Sequence, residues 1–258
     1  MFRTLALAAT AAATLAAPAL AEPYKVGIAA EPYAPFYSPA SDGSWSGWEI
    51  DFADALCAEI EADCEITPVA WDGIIPALNT GKIDMIVASM SITEERAKQI
   101  AFSDKYYDTP TGVIALKDSK VEPTPEGVKG AYLGVSVGTI HETYARTHFS
   151  ETAADIRSYP TVDEELQDLA AGRIDAVIGD MLAMMPFLDT KAGAACCEYR
   201  GAVKSDPAIL GQGVGVGLRK EDSELLERVN SGIAAIRENG TYDKISEPYF
   251  EGLDIYGS

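Results

Sequence analysis

Apolar residues recur at helical spacing in "WDGIIPALNTG" (71–81) and again in "VDEELQDLAAG" (162–172). Each segment closes on a glycine, the residue that most easily takes the left-handed conformation at the end of a helix. Past the glycine the period changes. "KIDMIVAS" (82–89) and "RIDAVIGD" (173–180) share an Ile-Asp pair and are otherwise nearly continuous apolar runs, the pattern of strands covered on both faces. The repeat predicts two α/β units of like design, with parallel strands over 83–89 and 174–179. "YKVGIAA" (24–30) and "AYLGVSVG" (131–138) read as the strands that open the two units, each followed by a turn and a helix-like segment. Ile50, Ala53, Leu56, Cys57 and Ile60 mark another helix. Leu225, Leu226, Val229, Ile233 and Ile236 mark a helical tail that would pack back on the first unit.

In open parallel sheets, ligands collect beyond the carboxyl ends of the strands. Applied to both copies, that rule picks out Ser89 and Ser91 with Met90 between them, and Asp180 from the second copy. It also picks Glu31 and Tyr33 after the first strand, and Gly138, Thr139 and Ile140 after "LGVSV". Thr139 would stand at a helix N-terminus, where backbone N–H groups attract an anion. Arg96 suits a carboxylate, which it can grip with two parallel hydrogen bonds, and Asp180 suits an ammonium group. Together they would read a zwitterion, with Tyr33 and Trp71 stacking on its side chain. Each residue also has a plainer use. Arg96 lies beside Glu94 and Glu95 at ion-pair spacing, Asp180 stands where a helix N-cap belongs, and Tyr33 and Trp71 suit a core. Glu31 before Pro32 suits a solvated turn, and His141 a helix surface. The convergence of independent segments on one cleft favours the ligand reading.

Composition narrows the setting. The chain has 258 residues, 47% of them apolar, enough for one large or two small cores. Residues 1–21 carry Arg3, an apolar run and Ala19-Leu20-Ala21, the pattern of a cleaved secretory signal, so the mature chain is expected to start near Glu22 and to be exported. No later segment approaches the roughly 18 apolar residues of a membrane span. With 20 basic against 40 acidic residues, a nucleic-acid partner is excluded. Four cysteines in an exported chain invite disulfides. Cys57 and Cys64 flank a helix end, where a bridge would tie the helix to the next strand. Cys196 and Cys197 are adjacent, and the sequence leaves open whether they bridge each other, stay reduced or join two chains.

The segments "YAPF", "GWEIDFADALC", "WDGIIPAL", "KIDMIVASMSITEERAKQIAFSDKYY", "AGRIDAVIGD", "GVGLRKED" and "ENGTYDKISEPYF" run through nearly the whole mature chain in one order. In them the sequence resembles periplasmic solute-binding proteins of the polar amino-acid ABC transporter group, among them lysine/arginine/ornithine-, histidine- and opine-binding proteins. The resemblance implies an α/β, type II periplasmic-binding-protein fold: two α/β lobes joined by a two-strand hinge, with the ligand cleft between them. Lobe one would comprise 22–108 and 213–258, and lobe two 112–205. It implies capture of an amino acid, basic or polar, and its delivery to the membrane permease and ATPase of an ABC importer, by a periplasmic monomer without cofactor, metal or catalytic step. Matching motifs assign Tyr33 and Trp71 as the aromatic pair, Ser89 and Ser91 as polar contacts, Arg96 to the ligand carboxylate, Asp180 to its ammonium, and Thr139 to a helix N-terminus in the second lobe. They also support a Cys57–Cys64 disulfide. Basic-amino-acid binders usually place an acid three residues before the aromatic of "YAPF"; here that residue is Ala30, with Glu31 one position later as a replacement. Ala88 stands where relatives often have Ser, and His141 where several have Gln. An opine or another amino-acid-derived zwitterion is the alternative ligand. More distant readings are a dehydratase of the cyclohexadienyl type, using Glu31 or His141, and a sensor partner for a membrane receptor.

Overall fold

Two five-stranded sheets divide the chain, and the polypeptide passes between them twice. The computed structural model describes residues 22–257; the expected signal peptide lies outside the described residues. The chain opens with β1 (Tyr24–Ala29), a small hairpin of β2 (Ser38–Pro39) and β3 (Trp45–Ser46), α1 (Trp48–Glu59) and β4 (Cys64–Val69). A 3-10 turn at Trp71–Gly73 leads into α2 (Ile74–Asn79), followed by β5 (Met85–Ile86), α3 (Glu94–Ala97) and β6 (Ala101–Tyr107). The second part holds β7 (Thr111–Leu116), β8 (Tyr132–Ser136), α4 (Ile140–His148), β9 (Asp155–Tyr159), α5 (Val162–Ala170) and β10 (Ala176–Asp180). It continues with α6 (Met181–Asp189), α7 (Lys191–Cys196), β11 (Cys197–Ala202) and α8 (Pro207–Leu210). The chain then returns through β12 (Val214–Leu218) and ends in α9 (Ser223–Glu238) and α10 (Thr241–Phe250). Among the described residues no helix is long and apolar enough to cross a membrane.

The first sheet runs β4-β1-β5-β12-β6 and the second β11-β7-β10-β8-β9. β1 pairs in parallel with β4 and β5, and β8 pairs in parallel with β9 and β10, so the two halves repeat one βαβαβ design. The repeated Ile-Asp explains itself in atomic terms. Asp84 accepts the Lys25 amide at 2.9 Å, and Asp175 accepts the Tyr132 amide at 2.7 Å, so each carboxylate satisfies a backbone donor at the start of its sheet's opening strand. The isoleucines play equivalent parts as well. A Cβ on Gly27 would lie 2.3 Å from Ile83 Cδ1, and one on Gly134 would lie 2.6 Å from Ile174 Cδ1. A glycine in each opening strand therefore makes room for the isoleucine of each repeat. Gly81 and Gly172 close the preceding helices with φ of +73° and +68°.

Two expectations change. The strand anticipated over 83–89 shrinks to β5, because Ser89 turns out of the ladder at φ +52° to bond a buried carboxylate of α1. The sheets are also not wholly parallel: β12 runs antiparallel to β5 and β6, and β7 antiparallel to β10 and β11, where the chain crosses and returns. The tail behaves as its spacing implies. Leu225, Val229, Ile233 and Ile236 are buried in the first core, and Gly232 lets α9 approach Leu56 of α1 and Ile60 at its C-terminal cap. Cys57 and Cys64 form a disulfide, and so do the adjacent Cys196 and Cys197.

Candidate functional site

The carboxyl ends of the central strands face one another across a cleft lined by both halves. Glu31, Tyr33, Trp71, Ser89, Ser91 and Arg96 come from the first, and Ser136, Thr139, His141, Glu165 and Asp180 from the second. The walls are in contact. Trp71 Nε1 donates to the Gly138 carbonyl at 3.2 Å, and a Cβ on Gly138 would come within 3.1 Å of Asp72 Oδ1. Gly138 keeps φ at +69°, so the tight loop after β8 fits under the indole.

Arg96 is half-buried in α3, whose N-cap Thr93 accepts the Arg96 amide. Its guanidinium donates to the Ser91 carbonyl at 3.1 Å and lies 5.3 Å from the Trp71 ring centroid. The helix ion pair that its neighbours suggested does not form. Glu95 pairs with Lys98, and Arg96 has no ion pair among the described residues. Desolvation pushes its pKa down to about 10. Asp180 does cap α6, accepting the amides of Leu182 at 2.7 Å and Ala183 at 3.3 Å, with Thr109 Oγ1 at 3.1 Å. All three bonds fall on Oδ1; Oδ2 accepts none among the described residues. Burial outweighs those donors and pushes the carboxyl up to about 7. A cap and a cleft-facing acid are thus one residue.

Ser89 and Ser91 line the cleft, but Met90 does not. It is 1% exposed and joins the core cluster of Ile74, Leu78, Ile83 and Ile100, just past the turn that Ser89 makes at φ +52°. The Thr139 hydroxyl is consumed in capping α4: it donates to the Ser136 carbonyl at 2.7 Å and accepts the Glu142 amide at 3.2 Å. Glu142 in turn accepts the Gly138 amide at 2.8 Å, placing an anion at that helix start. Glu31 uses Oε2 to hold the Trp71 amide at 3.1 Å. His141 is no free surface residue. It lines the cleft, where desolvation and the Arg96 charge push it down to about 4.

Two acids that the sequence reading passed over complete the site. Glu49, in the first turn of α1, is 0% exposed and accepts from Ser89 N at 2.7 Å, from Ser89 Oγ at 2.8 Å and from Tyr106 OH. Burial pushes it up to about 7 against those three donors. Glu165 of α5, also 0% exposed, accepts among the described residues only from Ser136 Oγ at 3.3 Å, and burial raises its pKa well above the usual carboxylate range. Both were marked by position: Glu49 shares a stripe with Phe52, Ala53 and Leu56, and Glu165 with Val162, Leu166 and Leu169.

These groups give the ligand-free protein an unusual pH response. Glu49 and Asp180 hold protons up to about pH 7, whereas the unfolded chain releases them near 4.5 and 3.8. Between those limits the folded state binds more protons, so stability falls as pH rises from about 4 to 7 and levels off above, with a slope of up to about 1.4 kcal/mol per pH unit per group. Glu165 acts in the same direction; His141, with its lowered pKa, opposes one of the three. Urea unfolding of ligand-free protein should therefore give a lower midpoint at pH 8 than at pH 5. A higher midpoint at pH 8 would show that these carboxyls are stably ionised.

The profile of a family described as bacterial extracellular solute-binding proteins, family 3, matches residues 24–252. The histidine-binding periplasmic protein of Escherichia coli K12 is 40% identical over 237 residues, 91% of this chain and 90% of that protein. The lysine/arginine/ornithine-binding periplasmic protein of the same strain is 38% identical over 249 residues, 96% and 94% of the two chains. Among solved structures, an ancestral arginine-binding protein bound to arginine superposes with a TM-score of 0.78 at 33% identity, over 88% of this chain and 97% of its own.

Proposed function

Since the chain belongs to family 3 of the bacterial extracellular solute-binding proteins, we propose that its cleft captures an α-amino acid with a basic or polar side chain in the periplasm and presents it to the permease and ATPase of an ABC importer. One observation carries this reading: Arg96 and Asp180 oppose each other across a single cleft, both desolvated and neither ion-paired among the described residues. An α-carboxylate and an α-ammonium complement the two, and charge-assisted hydrogen bonds are about twice as strong as neutral ones. Tyr33 and Trp71 bracket the side chain, while Ser89 and Ser91 offer it polar contacts.

Lobe one, residues 22–108 with 213–258, holds the aromatic pair and Arg96; lobe two, 112–205, brings Asp180. The crossings between β6 and β7 and between β11 and β12 act as the hinge on which the lobes close. Among the described residues Arg96 is the one Lys or Arg on the cleft wall, which offers the further carboxylates of an opine no second cation there. Glu31, the acid that a dehydratase reading would use, is tied to the Trp71 amide.

Thermal unfolding of ligand-stripped protein against a panel of amino acids and opines tests the proposal. A true ligand at about a thousand times its Kd stabilises by about 4 kcal/mol, which raises the Tm by about 8–16 °C for a chain of this size. The expected responders are amino acids of the histidine, lysine, arginine and ornithine type. No shift with any α-amino acid would overturn the reading.

A further inference from the structure

Glu165 sits on the apolar stripe of α5 with its side chain fully buried, yet one oxygen has a single hydrogen bond, at 3.3 Å, and the other has none among the described residues. Buried carboxyls normally have their oxygens matched by donors, because an unmatched one is costly. No lysine or arginine pairs with it among the described residues, and the nearest polar side chain bonded to it is Ser136, at the carboxyl end of β8. Both residues line the cleft together with Val137 and Thr161. This acid is therefore a binding group without a partner inside the protein.

Charge counting over the cleft wall says what the missing partner is. Among the described residues the lining acids are Glu31, Glu165 and Asp180 and the lining cation is Arg96, since desolvation and the Arg96 charge keep His141 neutral; burial likewise favours the protonated Glu165 in the ligand-free protein, so a cation docking there is what would ionise it. An α-carboxylate on Arg96 and an α-ammonium on Asp180 leave Glu31 and Glu165 unmatched. Glu31 already serves the Trp71 amide on the first half of the molecule, whereas Glu165 has a whole oxygen unused. We propose that Glu165 and Ser136 form a subsite for a positively charged group at the far end of the ligand, so that the bound amino acid carries a cationic side chain. The inference rests on the amino-acid reading above and adds the residue that chooses the side chain.

Calorimetric titration of ligand-stripped wild type, Glu165→Gln and Ser136→Ala tests it, with arginine and lysine set against citrulline and norleucine, their neutral near-isosteres. Wild type is expected to prefer the cationic member of a pair by at least about tenfold. Glu165→Gln should lose about 30-fold or more for that member, as when one partner of a buried charge pair is removed, while the neutral member changes by less than about threefold. Ser136→Ala should shift selectivity in the same direction by a smaller factor, and it carries the test if the glutamine variant does not fold. Equal losses for both members would make Glu165 structural and overturn the subsite. Wild type that binds neutral amino acids but not cationic ones would remove the subsite and leave amino-acid capture standing. Wild type that binds no amino acid would remove both.

Discussion

Arg96→Ala is expected to weaken binding of every α-amino acid by about 30-fold to several thousandfold, with no loss of stability in the ligand-free protein. In the ligand-free protein the guanidinium is already partly desolvated, which is why its pKa falls to about 10, and its partners among the described residues are one carbonyl and one indole face. The charge is thus a standing cost that a ligand carboxylate offsets on binding. Removing one member of a buried, hydrogen-bonded charge pair costs about 2–5 kcal/mol, and about 1.4 kcal/mol is a factor of ten in Kd. Arg96→Lys keeps the charge but not the planar fork, so it should fall between wild type and the alanine variant. The loss should be the same for cationic and neutral ligands, which separates this residue from Glu165. Calorimetric titration that found the affinity of Arg96→Ala within about threefold of wild type would remove Arg96 from the carboxylate role.

The legible parts of this site were those in which one physical job selects one residue type in one place. The repeated Ile-Asp could be read because both copies do the same two things, filling the gap over Gly27 or Gly134 and satisfying the first amides of the opening strands. Asp180 and Tyr33 followed from the rule about strand ends, and Arg96 and Trp71 from the carboxylate and the side chain that such a cleft would hold; all four line the cleft. Met90 stands between two cleft serines, but its side chain is buried in the core beyond the turn at Ser89, a turn that residue order alone does not show. Thr139 was found as a helix start, but spacing does not say whether a hydroxyl is free; here the cap uses it on both sides. The two buried glutamates were missed for the opposite reason. An acid inside an apolar helical stripe looks like an ordinary polar interruption until the fold shows that nothing solvates it. Glu49 also accounts for the early end of β5, since no local propensity predicts that Ser89 leaves the strand to reach α1.

That link makes Glu49 the second large effect. Glu49→Ala is expected to destabilise the protein by about 4 kcal/mol, lowering the Tm by about 8–16 °C, because it leaves one buried and two part-buried donors without an acceptor, at about 1–3 kcal/mol for a fully buried one and less for the others. The donors are Ser89 N, Ser89 Oγ and Tyr106 OH. Ser89 is also released from a left-handed conformation that a non-glycine residue holds only when its surroundings impose it, so the variant should lose ligand affinity as well as stability. Glu49→Gln separates shape from charge. Its carbonyl can still accept from Ser89 N and Tyr106 OH, and the Ser89 hydroxyl can rotate to accept from the new amide. Through Glu49 wild type loses stability as the pH rises from about 4.5 to 7, where the unfolded carboxyl releases its proton and the buried one keeps it, and neither variant carries this loss. The deficit of Glu49→Gln should therefore be largest at pH 5 and shrink or change sign at pH 8; that of Glu49→Ala should shrink by the same amount and stay the larger of the two at both pH values. Urea unfolding of the three proteins at the two pH values decides the matter. If Glu49→Gln fell as far as Glu49→Ala at pH 8, Glu49 would be an ionised acceptor that the three donors stabilise more than burial opposes, and the charge itself would hold Ser89 at the mouth of the cleft.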